Sequence, residues 1–221
     1  NGGSLTVLNS TFANNRGPSG QPIGGTILNY QGLTVVNSTF FDGGGIGSVS
    51  SFGTNAAWNN VFSGAAGAGF NCGTSTGTVT GGGNVSNDGT CAGIRNVADL
   101  KLGFFGDHGG WVSTVPLHPS SPAVGAGDPG HCPATDARGV ARPGGCDAGS
   151  YQSDGTTQTL LASDRNPAPF GAPVTFTVSV SHPDVVPSGS VSLAGPPGSA
   201  RSVVLHAYGR ASFLGADPGV G

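Results

Sequence analysis

Residues 5–12 read LTVLNSTF and residues 33–40 read LTVVNSTF, almost one octapeptide written twice at a spacing of 28. A weaker third version, NAAWNNVF, occupies residues 55–62, and its Phe62 follows Phe40 by 22 positions. Leu5 and Val7 flank Thr6, and Leu33 and Val35 flank Thr34, which is the period-two pattern of a half-buried strand. Asn9, Asn37 and Asn59 then share one slot, and Phe12, Phe40 and Phe62 share the next large apolar one. A unit this short cannot bury its own apolar face, so the copies must stack, with like residues about 4.8 Å apart. Stacking predicts a ladder of Asn9, Asn37 and Asn59 side chains and a column of the three phenylalanines.

The two spacings differ by six residues. Comparing Phe12 to Ile27 with Phe40 to Val49 places those six in ANNRGPSGQPIGG, a Gly/Pro loop of the kind in which stacked repeats take insertions. This alignment sets Ile27 and Asn29 against Val49 and Ser51, on a second strand of each repeat. Asn1 falls in the slot of Asn29, so the sequence reads as opening part-way through a repeat.

The rest of the composition fits an all-β chain. The 42 glycines are interleaved with Val, Ile, Leu and Phe in short runs, and no window free of Gly or Pro keeps an i, i+3, i+4, i+7 apolar pattern. A net charge of −3 with no basic stripe excludes a nucleic-acid footprint. No run of 18 apolar residues is present, so no membrane-spanning helix is expected.

Charge is also what catalysis on a repeat face requires. Hydrolysis of a glycosidic bond ordinarily takes two carboxylates, and a Ca²⁺ shell takes six or more oxygens. Residues 1–70 carry only Arg16 and Asp42. His108, in GDHGG beside Asp107 and near Trp111, reads as a turn histidine, and His118, His131, His182 and His206 lack ligand spacing. No G-x-S-x-G elbow marks a nucleophile. The expectation is therefore no catalytic, cofactor or metal residues. Sequons begin at Asn9, Asn37 and Asn84, the first two of which the repeat explains.

All four cysteines, Cys72, Cys91, Cys132 and Cys146, follow the repeats. None lies two to four residues from another, as a zinc site would prefer. An even count in Gly-rich sequence favours disulfides and hence an oxidising compartment, with an extracellular or cell-surface location. Three connectivities exist. The local one, Cys72–Cys91 with Cys132–Cys146, closes loops worth roughly 3 kcal/mol each and is the expected pairing.

The pattern G-G-x-I-x-N … L-T-V-x-N-S-T-F over residues 1–70 resembles bacterial right-handed parallel β-helix proteins of the pectin-lyase-like type. The runs GNVSNDGTC, KLGFFGDHGG, HPSSPAVGAGD, CPATDARGVARP and CDAGSYQ resemble the choice-of-anchor Q region of bacterial surface proteins, with departures at His108, Gly125, Ala148, Ser150 and Gln152. That resemblance implies a disulfide-stapled, irregular cap on the final coils, for which Asp136–Arg138 and Arg142–Asp147 are candidate ion pairs.

After Tyr151 the composition changes. SDGTTQT reads as a linker, and VTFTVSV, GSVSLAG and RSVVLHAYGRASF are strand signals between Pro/Gly turns. This region resembles bacterial Ig-like modules, and the sequence is expected to end at Gly221 inside their last turn. The expected organisation is a β-helix with cap over 1–152, a linker over 153–157 and an incomplete Ig-like β-sandwich over 158–221.

Two functional classes follow. The first is a non-catalytic secreted or cell-surface structural or adhesive protein, expected as a monomer, that recognises carbohydrate or a cell-surface partner through Tyr30, Phe52 and Trp58. The second is a fragment of a polysaccharide lyase or glycoside hydrolase whose catalytic coils lie upstream. An upstream cluster of charged residues at coil spacing would discriminate between them.

Overall fold

The computed structural model describes residues 3–15, 26–29, 31–43, 46–48, 55–64, 71, 79–143, 145–154, 157–169, 172–182, 186–194, 201–206 and 208–214. The chain is all-β and forms two compact units, Asn1–Asp154 and Gly155–Gly221. In the first unit the strands are β1 (Leu5–Leu8), β2 (Thr11–Ala13), β3 (Ile27–Asn29), β4 (Leu33–Val36), β5 (Thr39–Phe41) and β6 (Ile46–Ser48). They are followed by β7 (Asn55–Trp58), β8 (Val61–Ser63), β9 (Val79–Thr80), β10 (Val85–Ser86) and β11 (Arg95–Asn96).

These strands pair in parallel. One sheet has the order β1-β4-β7-β9, a second β11-β10-β8-β5-β2, and β3 pairs with β6. Leu5 lies against Leu33, Leu33 against Asn55, and Phe12 against Phe40 against Phe62. The ring centroids of that column are 5.0 and 5.1 Å apart at 11° and 16°. Pairing like with like keeps the shared apolar slots inside, and Val35, Phe40 and Phe62 are at most 1% exposed.

The third sheet departs from the expected register. Ile27 pairs with Ile46, not Val49, and Asn29 with Ser48, not Ser51. The segment before the third-sheet strand is thus nine residues longer in the first repeat than in the second, and the segment after it is three shorter. Each loop of a stack absorbs length independently, so a single net period of six cannot locate the strand between two loops.

The second unit contains β12 (Gln158–Ser163), β13 (Thr175–Ser181), β14 (Ser190–Leu193), β15 (Arg201–Val204) and β16 (Arg210–Leu214). They form two antiparallel sheets, β12-β13-β16 and β14-β15. Val178, Val180 and Phe213 are its buried centre, with Phe176, Val191 and Val203 packed against them. Ser153, read from the sequence as linker, is instead buried in the first unit, where its N–H and hydroxyl both donate to Asp147 Oδ2 at 2.7 and 2.6 Å.

Candidate functional site

The corner between β1 and β2, and its equivalents, explain why the shared slot holds asparagine. Asn9, Asn37 and Asn59 have φ of 45°, 45° and 59°. This left-handed conformation costs most L-residues roughly 1–2 kcal/mol, and Asn least among those with a Cβ because its short amide bonds locally. Asp42, the lone carboxylate of residues 1–70, also sits at a turn with φ 50°. The ladder itself is partial. Asn59 Nδ2 donates to Asn37 Oδ1 at 3.1 Å, but Asn37 Nδ2 turns to the Asp147 carbonyl at 3.0 Å, and Asn9 Nδ2 to the Thr135 carbonyl at 2.8 Å.

A continuous ladder runs one residue further on. Ser10 N–H donates to Ser38 Oγ, Ser38 N–H to Asn60 Oδ1, and Asn60 N–H to Asn84 Oδ1, at 3.2, 2.9 and 2.9 Å. Each side-chain oxygen there satisfies a backbone donor of the preceding layer that the sharp corner takes out of the sheet. Asn37 is fully buried and Asn84 nearly so, which leaves no room for a glycan on either.

The irregular segment after β11 does not simply close the end of the stack. Residues 126–152 run across the corners of successive layers and clamp them from the side. Asp128 brackets Asn59, its N–H donating to Oδ1 at 2.6 Å and its carbonyl accepting from Nδ2 at 3.0 Å. Gly149 N–H donates to the Asn59 carbonyl, and Ser150 Oγ lies 2.6 Å from Thr11 Oγ1 and 3.1 Å from Thr39 Oγ1. The Cys132–Cys146 disulfide, with Cα atoms 6.0 Å apart, closes this clamp. Cys91 is disulfide-bonded as well; its expected partner Cys72 lies outside the described residues.

The clamp's charges hold its own turns. Asp136 pairs with Arg138 at 2.8 Å, with both side chains buried, and also accepts from the N–H groups of Val140 and Gln152. Arg138 continues to the Gln152 carbonyl at 2.7 Å, and its guanidinium lies 3.6 Å over the Tyr151 ring. The second expected ion pair does not form in that way. Arg142 donates to the main-chain carbonyl of Asp147 and to Gln152 Oε1, while the Asp147 carboxylate accepts from Gly125 and Ser153. The main-chain N–H donors that surround Asp147 leave the guanidinium to serve carbonyls, including that of Gly149 at 2.9 Å. Burial draws the Arg142 pKa below its ordinary value; the Asp136 and Asp147 charges oppose this and the Arg138 charge adds to it.

Of the expected aromatic face, Tyr30 and Phe52 lie outside the described residues. Trp58 is half-buried, and the His131 imidazole stacks on it at 3.4 Å and 6°, occupying one face of the indole. Among the described residues of the first unit, the open aromatic surface lies on the loop Leu102–Leu117.

That loop is a narrow antiparallel excursion. Leu102 bridges Leu117, and Gly106 and Thr114 exchange main-chain hydrogen bonds of 3.1 and 2.9 Å. Leu117 roots it in the core with Val85, Leu100 and Tyr151, and Val115 beside it is fully buried. At the tip Gly109 and Gly110 have φ of 87° and 80°, and a Cβ on Gly110 would fall 2.7 Å from Arg138 Cα. Arg138 also donates to the His108 carbonyl at 3.2 Å, so the buried ion pair fixes the tip. His108 Nε2 lies 3.0 Å from the Phe104 carbonyl, and Asp107 Oδ1 accepts from Gly109 N–H, so both residues shape the turn. The loop then presents Phe104, Phe105, Trp111 and Val112 to solvent, with Trp111 99% exposed. The signal available in the sequence was the Gly-Gly doublet between the apolar pairs FF and WV, which marks a hairpin tip. Among the described residues, no cluster of His, Cys, Asp or Glu is arranged to hold a metal ion.

No family model, no curated protein and no solved structure matches this chain.

Proposed function

We propose that this chain is a non-catalytic structural or adhesive protein of bacterial type, secreted or held at the cell surface. Its three parallel sheets are the faces of a right-handed parallel β-helix of the pectin-lyase-like kind, with a choice-of-anchor type clamp. Its second unit is an Ig-like spacer. Recognition of carbohydrate rests on the Leu102–Leu117 loop, where Trp111 and Phe104 offer flat apolar faces to sugar rings.

The observation that carries this reading is the fixation of that loop. A fully exposed indole carried on a tip whose main chain is tied by two cross-bridges and by the buried Arg138 requires no ordering of the loop on binding, which favours a recognition platform. The roles of the carboxylates support the non-catalytic part. Asp136 and Asp147 are enclosed by donors of their own clamp, and Asp42 and Asp107 shape turns.

The test is a panel of neutral and acidic polysaccharides, assayed both for binding and for release of reducing ends or unsaturated products. Binding that falls at least tenfold in Trp111→Ala, without product release, is expected. Turnover lost in Asp42→Asn or Asp107→Asn, or binding indifferent to Trp111→Ala, would overturn the reading.

A further inference from the structure

The described cations of the first unit divide into two kinds. Arg138 and Arg142 are enclosed in the clamp, where they serve Asp136 and main-chain carbonyls. Arg95 and Lys101 are exposed, and among the described residues neither side chain is paired with a carboxylate. Both reach the same turn, residues 118–122. Lys101 Nζ donates to Ser120 Oγ at 3.2 Å and Arg95 Nη1 to the Pro122 carbonyl at 3.4 Å. These two acceptors stand two residues apart, at most about 7 Å of chain.

The turn and its lysine are fixed by bonds of their own. Ser121 Oγ donates to the Leu100 carbonyl at 2.6 Å, and Ser121 N–H to the His118 carbonyl at 2.7 Å. Lys101 has φ 49°, an uncommon conformation for a lysine. It is held there by Asp99 Oδ1, which accepts Lys101 N–H at 2.8 Å, and by His118 N–H, which donates to the Lys101 carbonyl at 3.0 Å. His118 Nδ1 accepts the Ser120 N–H at 3.2 Å, so the Ser120 hydroxyl, 2.9 Å away, also donates to that nitrogen and offers its lone pairs to the ammonium. Two cations and the single carboxylate of Asp99 leave this patch positive in a chain of net charge −3. The ammonium keeps donors beyond the one given to Ser120, and the Arg95 guanidinium beyond the one given to Pro122.

We propose that this patch is an anion subsite at the root of the Trp111 loop, which takes the carboxylate or sulfate group of an acidic polysaccharide while neighbouring sugar rings lie on the loop's aromatic residues. The inference rests on the carbohydrate reading above and narrows it to acidic polymers. Lys101 and His118 lie immediately outside the Leu102–Leu117 bridge. Phe104 follows Lys101 by three positions, at most about 11 Å of chain, so one oligosaccharide meets both. The aromatic faces supply contact that any sugar ring can use, and the cations supply the discrimination.

The experiment titrates the full chain with oligogalacturonate and with dextran sulfate, each beside its neutral counterpart, methyl-esterified oligogalacturonate or dextran. Lys101 is the chain's sole lysine, so isotopic labelling at lysine gives one main-chain cross-peak that reports occupancy directly. At least one acidic ligand is expected to bind about tenfold tighter than its neutral counterpart and to shift that cross-peak. The margin should shrink with added salt, persist in Lys101→Arg and vanish in the double variant Lys101→Gln, Arg95→Gln. Both side chains are exposed, so Tm should stay at the parent value. Equal affinity for acidic and neutral ligands, or a margin that survives in the double variant, would overturn the subsite and leave the Trp111 platform standing. A cross-peak that responds as strongly to sodium sulfate would overturn the polysaccharide in favour of a free anion. A margin that depends on Lys101 and Arg95 while all binding ignores Trp111→Ala would overturn the platform and leave the anion site. Absence of binding to every ligand would overturn both.

Discussion

Asn59 gives its side-chain amide to Asn37 Oδ1 at 3.1 Å, and Asn37 gives its own to the Asp147 carbonyl, in the clamp rather than in the next layer. The pair thus joins the stack to the segment that crosses it. Asn37 serves three ends at once: a left-handed corner, an acceptor for Asn59 and a donor to the clamp.

Replacing Asn37 therefore separates backbone from side chain. Asn37→Ala leaves Asn59 Nδ2 and the Asp147 carbonyl short of a partner, at about 1–3 kcal/mol, and adds the strain of a Cβ at φ 45°. Asn37→Gly loses the same bonds but relieves about 1 kcal/mol of that strain. Urea unfolding midpoints should rank parent, Gly variant and Ala variant in that order; an Ala variant as stable as the Gly variant would deny the corner its role.

The Cys132–Cys146 pair spans 14 positions, so Cys132→Ser with Cys146→Ser should cost about 3 kcal/mol. The loss should be local. Hydrogen exchange at Asp128 and Gly149, whose N–H groups hold Asn59, should accelerate before that of Phe40 or Phe62 in the stacked strands. Uniform acceleration would mean that the clamp and the stack open as one body.

Arg138→Ala should destabilise the first unit by about 3–5 kcal/mol, because it leaves the Asp136 carboxylate buried without its cation. Arg138→Lys should recover only part of this. A point ammonium cannot reach Asp136, the Gln152 carbonyl and the His108 carbonyl together while stacking on Tyr151. Thermal unfolding, with Trp111 fluorescence anisotropy reporting the mobility of the loop tip, checks both variants; a Lys variant equal to the parent would remove the fork geometry from the account.

Asp88 gives stability a pH dependence. Burial alone would raise its pKa, but hydrogen bonds from Asn71 N–H, from the Thr90 N–H and hydroxyl, and from the Ser86 hydroxyl outweigh burial and lower it below 3.8. A depressed folded value contributes stability that is complete above the ordinary carboxylate range and is lost as pH falls through the folded pKa. Asp88→Asn should be less stable than the parent at pH 7, and the difference should shrink as the pH falls below about 4. Urea titrations at pH 7 and pH 3 measure it, and a difference independent of pH would assign the cost to shape rather than charge.

The strand register was legible where identical residues recur. Leu5 with Leu33 and Phe12 with Phe40 could be aligned by eye because the octapeptide is nearly exact. Ile27 with Ile46 could not, since two loops of different length flank it and only their net difference is visible in the sequence. The asparagine slot was legible as a column at a turn between two strands but not as a left-handed conformation, because the same letter serves a ladder and a left-handed turn equally well. The clamp was legible as irregular, cysteine-bearing sequence. Its lateral course was not, since it depends on contacts such as Thr135 with Asn9 that no local pattern encodes. Trp111 was legible only as a neighbour of His108, and its exposure was not, because periodicity reports only what is buried.

The reach of the clamp bears on how the molecule assembles. Ser150 meets Thr11 across 139 positions, Thr135 meets Asn9 across 126, and Asp147 meets Asn37 across 110. Contacts of such high order form slowly, because a long loop must close before any of them contributes. A ribosome delivers the stacked strands before the residues that fasten them. The layers of β1 to β8 thus wait unfastened, open to proteases and to stray strands, until residues more than a hundred positions later fold back over them.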